Sequence, residues 1–428
     1  MALAILVLLA ATTTPYLFDE TARNAAAAKQ SRPIVHPPVY TLDLDLPAAT
    51  RWNHIAKDYV DKMGAVTDYF KTVIPAWSLP LIEHVAAHLT EYFTEYGEEL
   101  EGVAKALKVP RGEVVMLNLV MQLESIGLNC SNWNDTAPTR KDDPGCMIID
   151  PSQKFCYCHK AHEAGAIGPD GIAEFGLPRQ ANAPGLCTSV VAQGSDGRIV
   201  LGRNLDWNLP VAMRDILVDI DFIKGGKKLF RATGAPGIAG VLHGMSYSEA
   251  AGGRGNSAGW SATIDARNKG GALLPNLLQA LLVHSMTPSQ HLRKVLETKA
   301  DFESAVQALA TTPQIDDNYF IVAGAGNAEG AVIARAREKA VDIWRLKPSE
   351  PNGWYRLQTN YDHWQPVPEA DNRRDPGNAM MRAMGPAGVS TAAMWKVITT
   401  WPVFNHNTDV SLISVPGEGL FNTSVWMG

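Results

Sequence analysis

From residue 187 to its C-terminus the chain is a series of short apolar segments separated by tight-turn residues. "CTSVVAQ" and "RIVLGRNLDW" are joined through Ser195-Asp196-Gly197, and "ILVDIDFIK" and "KLFRATG" through Gly225-Gly226. Asp-Gly and Gly-Gly accept the positive φ that a two-residue hairpin requires, so each pair reads as adjacent antiparallel strands. "WSATIDARN", "NYFIVAGAG", "GAVIARAR", "VDIWRLK", "WYRLQTNY", "DVSLISV" and "LFNTSVW" have the same texture, and "GAGNAEG" reads as a further hairpin turn. Helical stretches, "PNLLQALLVHSM", "SQHLRKVLE", "FESAVQALA" and about 390 to 400, interrupt them. Strands, then helices, then strands predict an α+β protein of stacked antiparallel sheets covered by helices.

The first half reads differently. Residues 20 to 36 are Ala-rich and polar and read as a poorly ordered leader. Residues 52 to 128 read as helical: Leu81, Val85, Leu89 and Phe93 recur at a spacing of four, and "GEVVMLNLVMQLES" is a second apolar helix. Residues 129 to 186 show no periodicity and are rich in Gly, Pro and Asp. They hold Cys130, Cys146, Cys156 and Cys158, and read as an exposed, disulfide-pinned insertion.

Composition narrows the class. With 46% hydrophobic and 19% charged residues the chain can build a core. A net charge of -6 argues against a nucleic-acid binder. The apolar run Ala2 to Ala11 is too short to span a bilayer and suits a secretory signal peptide at residues 1–18, although no Lys or Arg precedes it; a buried strand is the alternative. Sequons at Asn129, Asn134 and Asn422 agree with export and glycosylation. In an exported chain, four clustered cysteines and one distant one suggest two disulfides and a free thiol, Cys187. "CYCHKAHE" lacks the spacing of a structural zinc site, so no metal site is expected. No G-x-S-x-G is present to anchor a serine hydrolase of the nucleophile-elbow type.

Cys187 opens its strand directly after a Pro184-Gly185 loop. The next strand carries Arg203 and Asp206, and hairpin pairing can bring both close to the cysteine. A buried free cysteine is ordinarily just a small apolar residue. Charged groups beside a core strand, however, need a reason. Further on, Asn360 ends an apolar strand in "QTNYDHW", and Arg373 follows in "DNRRD".

These stretches together, "CTSVVAQ", "GRNLDW", "NYFIVAGAG", "VDIWRLKP" and "QTNYDHW" with "DNRRD", resemble the acid ceramidase and N-acylethanolamine acid amidase group of N-terminal-nucleophile hydrolases. The resemblance covers nearly all of 187 to 410 and reaches "HPPVYTLDLD" and Arg51-Trp52 upstream. "NYDHW" and "DIW" look closer to the amidase branch. Two departures stand out: the insertion 129–186, and Ala266 where the family pattern leads one to expect a glutamate.

The resemblance implies an αββα sandwich with a helical N-terminal subunit. It implies self-cleavage between Leu186 and Cys187, leaving residues 19–186 (alpha) and 187–428 (beta, catalytic) as a heterodimer. Cys187 would be the nucleophile and its freed α-amine the base. Asp206 would orient that amine, Arg203 would favour the thiolate and hold the substrate carbonyl, and Asn360 with a backbone N–H near Asp265 would bind the oxyanion. Arg373 would anchor the loop of Asn360. No cofactor is implied. The substrate would be a lipid amide, met at a membrane or micelle, in a lysosome, vacuole or outside the cell. Ceramide hydrolysis, a penicillin- or bile-salt-type amidase, and a catalytically silent secreted lipid-binding protein are the alternatives.

Overall fold

The Gly-Gly turn closes as the sequence requires, with Gly225 and Gly226 at φ 57° and 71°. A computed structural model of the chain describes residues 32–73, 96–123, 126–129, 146–150, 153–156, 163, 172–175, 186–207, 209–247, 258–267, 285–368 and 371–427. In chain order the first elements are β1 (Ile34–Val35), β2 (Val39–Asp43), α1 (Asn53–Ala56), α2 (Val60–Val73), α3 (Gly97–Leu107) and α4 (Arg111–Leu123). Then come β3 (Ile126–Asn129), β4 (Cys146–Asp150), β5 (Gln153–Cys156), β6 (Ile172–Phe175), β7 (Leu186–Gln193), β8 (Ile199–Asp206) and α5 (Val211–Arg214). β9 (Val218–Lys224), β10 (Lys227–Gly234), β11 (His243–Tyr247), β12 (Ala258–Ala266), α6 (Pro288–Thr298) and α7 (Phe302–Thr311) follow. The chain closes with β13 (Asn318–Gly324), β14 (Gly330–Arg335), β15 (Ala340–Arg345), β16 (Tyr355–Gln358), α8 (Arg374–Met384), α9 (Thr391–Ile398), β17 (Thr408–Val415) and β18 (Leu420–Trp426).

Two sheets carry the fold. One has six strands, ordered β1-β18-β17-β8-β7-β16; the other has eight, β15-β14-β13-β12-β11-β10-β9-β2. Every pairing within them is antiparallel except β2 with β9. Alternation along the strands makes the layers. Val191 and Leu201 of the six-stranded sheet pack against Tyr319, Ile321 and Val332 of the other. The opposite faces take helices: Val190 and Val200 meet Met381 of α8 and Met394 of α9. Phe230 and Phe320 share a core with Leu292 and Leu296 of α6 and Phe302 of α7. Full burial of such side chains contributes about 1.5–3 kcal/mol each. The α+β sandwich expected from the hairpin texture is therefore what forms.

Three sequence expectations are corrected. The stretch 20–36 is not all leader, because Ile34 and Val35 pair with Trp426 and Val425, and Arg32 donates to Thr408 O and Trp426 O. The helical reading of 52–128 ends early, since 126–129 is a strand. Residues 129–186 are not structureless: β3 pairs with β6 and β4 with β5, with Cys146 opposite Cys156 in backbone register. Strands of two to five residues are too short to show a period. The proposed signal peptide, the run Leu81 to Phe93, Asn134, Cys130, Cys158 and most of "PNLLQALLVHSM" lie outside the described residues, as do the side chains of Asn129, Cys146 and Cys156. Asn422 is exposed on β18. Among the described residues no helix is long and apolar enough to cross a membrane, and no group of three or more His, Cys, Asp or Glu is placed to hold a metal.

Candidate active site

Cys187 is a free cysteine at the second position of β7, 2% exposed. Its strand is in register with β8: Leu186 lies opposite Asp206, Cys187 opposite Leu205, and Ser189 opposite Arg203. Odd positions of both strands face the eight-stranded sheet, and even positions face α8 and α9. Arg203 and Asp206 are three residues apart, so they project from opposite faces. Both lie close to Cys187, Arg203 on the face of its side chain and Asp206 on the opposite face, and no direct Arg203–Asp206 salt bridge forms.

Arg203 is the one that reaches the sulfur. Its Nη2 donates to Cys187 Sγ at 3.8 Å and to Ile264 O at 2.9 Å, and its Nη1 meets His243 Nδ1 at 3.2 Å. Its nearest carboxylate is Asp265, with Oδ1 3.8 Å from Nε. Asp265 is fully buried, and Ser189 Oγ donates to it at 2.8 Å, linking β7 to β12 across the sheets. Burial pushes the Asp265 carboxyl up to about 7, against the pull of Arg203.

On the other face Asp206 accepts from Thr408 Oγ1 at 2.6 Å, Asn405 Nδ2 at 3.0 Å and Arg373 Nη1 at 3.4 Å. Burial raises its carboxyl to about 6 despite these partners. Arg373, 2% exposed at the start of α8, is the hub. It donates to the Cys187 carbonyl oxygen at 2.5 Å, to Thr188 Oγ1 at 2.9 Å, to Asn360 Oδ1 at 2.8 Å, and through Nε and Nη2 to Asp371. Asn360 Oδ1 also accepts the Cys187 backbone N–H at 2.8 Å, while its Nδ2 donates to Ala266 O at 2.8 Å. In this intact chain the Cys187 amide N–H goes to Asn360, and Arg373 bridges Asn360 and Asp206.

The backbone N–H at the sulfur belongs to Ala266, one residue beyond the expected Asp265. The residue that departs from the family pattern thus contributes both its backbone polar groups, to Cys187 and to Asn360. The net field on the thiol is unfavourable for thiolate. Burial first, then Asp265, push Cys187 up to about 12; Arg203 pulls the other way and does not prevail.

Comparison with known proteins follows the same lines. A rat protein named N-acylethanolamine-hydrolyzing acid amidase is 30% identical over 89% of this chain and 86% of its own length. The chain belongs to the N-acylethanolamine-hydrolyzing acid amidase family. A model of the beta subunit of that amidase matches residues 35–93. Those residues precede Cys187, so the description attaches "beta" to the N-terminal part, where the sequence reading reserved it for 187–428. A solved Caenorhabditis elegans N-acylethanolamine-hydrolyzing acid amidase ortholog overlays 54% of this chain and 93% of its own, at 31% identity and a TM-score of 0.46. An acid ceramidase from Balaenoptera acutorostrata scammoni is 23% identical over 90% of this chain and 85% of its own. This family member is therefore related to amide hydrolases of both kinds.

Sequence reasoning missed His243, Thr408, Asn405 and Asp371, which support Arg203, Asp206 and Arg373. No motif marks them, because each meets the site only through sheet register or a helix start. Arg267 and Asp362 were also passed over. Their bidentate pair, at 2.7 and 3.0 Å, ties the residue after Ala266 to the loop of Asn360, and Tyr319 Oη joins it at 2.7 Å.

Proposed function

We propose that this protein is a self-cleaving cysteine amidase that hydrolyses fatty-acid amides, N-acylethanolamines above all, to fatty acid and amine. The observation that carries the reading is that side chains from other segments hold both reactive atoms of Cys187: Arg203 at Sγ and Asn360 at the backbone nitrogen. A structural cysteine needs neither.

In the uncut chain the Cys187 nitrogen is an amide and cannot serve as base. Cleavage begins when Sγ adds to the Leu186 carbonyl carbon. The peptide C–N bond breaks as the thioester forms, and the proton lost by sulfur passes to the freed nitrogen. Water then adds to the thioester, leaving a Leu186 carboxylate and regenerating the thiol. The chain becomes two pieces ending at Leu186 and beginning at Cys187, which stay together as a heterodimer.

The α-amine has a reference pKa of about 7.7–8.0, close enough to neutrality to take the thiol proton. Asn360 Oδ1 orients it, and Arg373 and Asp206 fix Asn360. Sγ attacks the amide carbonyl. The oxyanion takes the second N–H of Asn360 Nδ2 and the backbone N–H of Ala266; one such donor is worth about 3–4 kcal/mol. The α-ammonium returns its proton to the leaving amine, and water, deprotonated by the same amine, releases the fatty acid. These steps call on no metal or organic cofactor. The chain is read as an exported, glycosylated protein of a lysosome, vacuole or the extracellular space.

The test is Cys187→Ala against the parent, with palmitoylethanolamide and a matched ceramide. The variant stays one chain and inactive; the parent shows a new N-terminus at Cys187 by mass spectrometry. A variant that still matures and turns over amide ends this reading, and a parent that stays one inactive chain supports the silent binding protein. The relation to acid ceramidase supports the second reading, ceramide hydrolysis, and a higher kcat/KM for ceramide would select it.

A further inference from the structure

We propose that His243 is a positioning residue for Arg203, locked in one tautomer by a polar row that crosses the eight-stranded sheet and ends at Asp219. This rests on the reading of Cys187 as nucleophile with Arg203 at its sulfur.

His243 is fully buried at the start of β11. In register, Asp219 of β9 lies opposite Thr233 of β10, and Thr233 opposite His243. Directly opposed residues project from the same face, here the one that looks onto the six-stranded sheet. From that sheet Thr423 of β18 completes the row. The contacts are His243 Nε2 to Thr423 Oγ1 at 3.1 Å, Thr423 Oγ1 to Thr233 Oγ1 at 2.8 Å, and Thr233 Oγ1 to Asp219 Oδ1 at 2.5 Å.

Proton counting leaves one arrangement. A guanidinium has donors and no acceptor, so the His243 nitrogen facing Arg203 Nη1 must offer a lone pair. The ring proton is then on Nε2 and goes to Thr423. Thr233 and Thr423 both reach the Asp219 carboxyl, so their hydroxyl protons point away from His243 and toward that carboxyl. The direction of the row is fixed at its Arg203 end, where only an acceptor fits. The other tautomer would set two donors face to face, and an imidazolium would stand against the guanidinium. Consistent with this, burial and then Arg203 hold the imidazole well below its ordinary range. His243 is thus a fixed acceptor. It takes one arm of Arg203 so that the other arm is aimed at Ile264 O and Cys187 Sγ.

The experiment uses the processed protein. His243→Leu removes the acceptor, His243→Asn keeps one close to the position of Nδ1, and Thr423→Val removes only the partner of Nε2. Readouts are iodoacetamide alkylation of Cys187 against pH, steady-state kinetics, a thermal melt, and the nitrogen chemical shifts of labelled His243. The parent should show a proton on Nε2. A misplaced positioning contact costs on the order of 100-fold. His243→Leu should lose that much in kcat with little change in KM, and its alkylation midpoint should move to higher pH. His243→Asn should recover most of the loss. Thr423→Val should leave the Nε2 proton without its acceptor, loosen the ring and slow alkylation, a result that stands even if His243→Leu does not fold. A folded His243→Leu with unchanged kcat and alkylation profile overturns the proposal. So does an Asn variant as impaired as the Leu variant, or a parent protonated on Nδ1. Alkylation reads the thiol whatever the amide, so a wrong substrate leaves this test intact. A wrong nucleophile shows instead as an active Cys187→Ala.

Discussion

Arg373 shows how much one side chain can be asked to do. Its planar fork satisfies the Cys187 carbonyl, Thr188, Asn360 and Asp371 and faces Asp206, in a place where almost no water reaches. Lysine could not make these contacts from one point charge. Arg373→Met leaves Asp206 and Asp371 without their cation, and removing one partner of a buried pair costs about 3–5 kcal/mol. Urea unfolding of the Cys187→Ala background should show that loss, with self-cleavage abolished in the Cys187 parent. Stability unchanged within error would mean that Thr408 and Asn405 suffice for Asp206. Asn360→Asp tests a different property at the same scale. It replaces the donor to Ala266 O with a carboxylate oxygen, so two acceptors meet. An oxyanion donor is lost with it, and kcat should fall about 100- to 1,000-fold; a KM effect alone would place Asn360 outside the reaction.

At the scale of elements, the N-terminal part is held to the sheets by contacts that the proposed cleavage after Leu186 would leave in place. β2 adds in parallel to β9, Asn118 of α4 bonds Gly237 O and Ala239 N, and Glu99 of α3 meets Arg293 of α6 at 2.5 and 2.8 Å. Arg293 is fully buried, with Tyr96 and Phe222 against its guanidinium. Glu99→Gln leaves Arg293 with Glu297 as its remaining carboxylate, at 2.8 Å, and weakens hydrogen bonds to a charged group worth about 1.5–3 kcal/mol. The two pieces of the processed variant should then separate at lower urea than those of the parent, seen by gel filtration; co-elution at every concentration would assign the hold to β2 instead. Gly102 marks a second close approach. A Cβ there would lie 2.0 Å from Ala49 O, and backbone cannot step aside as a side chain can. Gly102→Ala should cost about 1–3 kcal/mol by overpacking, read as a lower melting temperature; a neutral result would mean α3 shifts freely against residues 47–51.

Over the whole molecule, burial sets an unusual acid balance. The carboxyls of Asp206 and Asp219 are raised to about 6, and those of Asp265 and Asp409 to about 7, desolvation being the first cause in each. A carboxyl raised in the folded state binds its proton more tightly there than in the unfolded chain. Its contribution is fully present below the unfolded value near 4 and is lost as pH rises through 6 to 7. His243, His291 and His363, held low, act oppositely and cost stability as pH falls below about 6.5. The four aspartates outweigh the three histidines. Melting of the Cys187→Ala chain should therefore occur at a higher temperature at pH 5 than at pH 8, and the reverse order would mean that these carboxylates stay ionised when buried.

The sequence shows the hairpins, α6, α7, the helix near 390 to 400 and a strand at Cys187, because turn chemistry and alternation are short-range; it does not show α8, and it singled out Arg203, Asn360 and Arg373 through the family resemblance. It did not determine which face each residue takes against a partner hundreds of positions away. That Arg203 and Asp206 diverge follows from strand parity and could have been read from their odd spacing. That Asn360 receives the Cys187 amide N–H could not. Neither could the row from Asp219 to His243, since register between three strands and a fourth from the other sheet brings those residues together. A buried polar group must find its partner wherever the packing of two sheets puts one, and the chain carries no local mark of where that is.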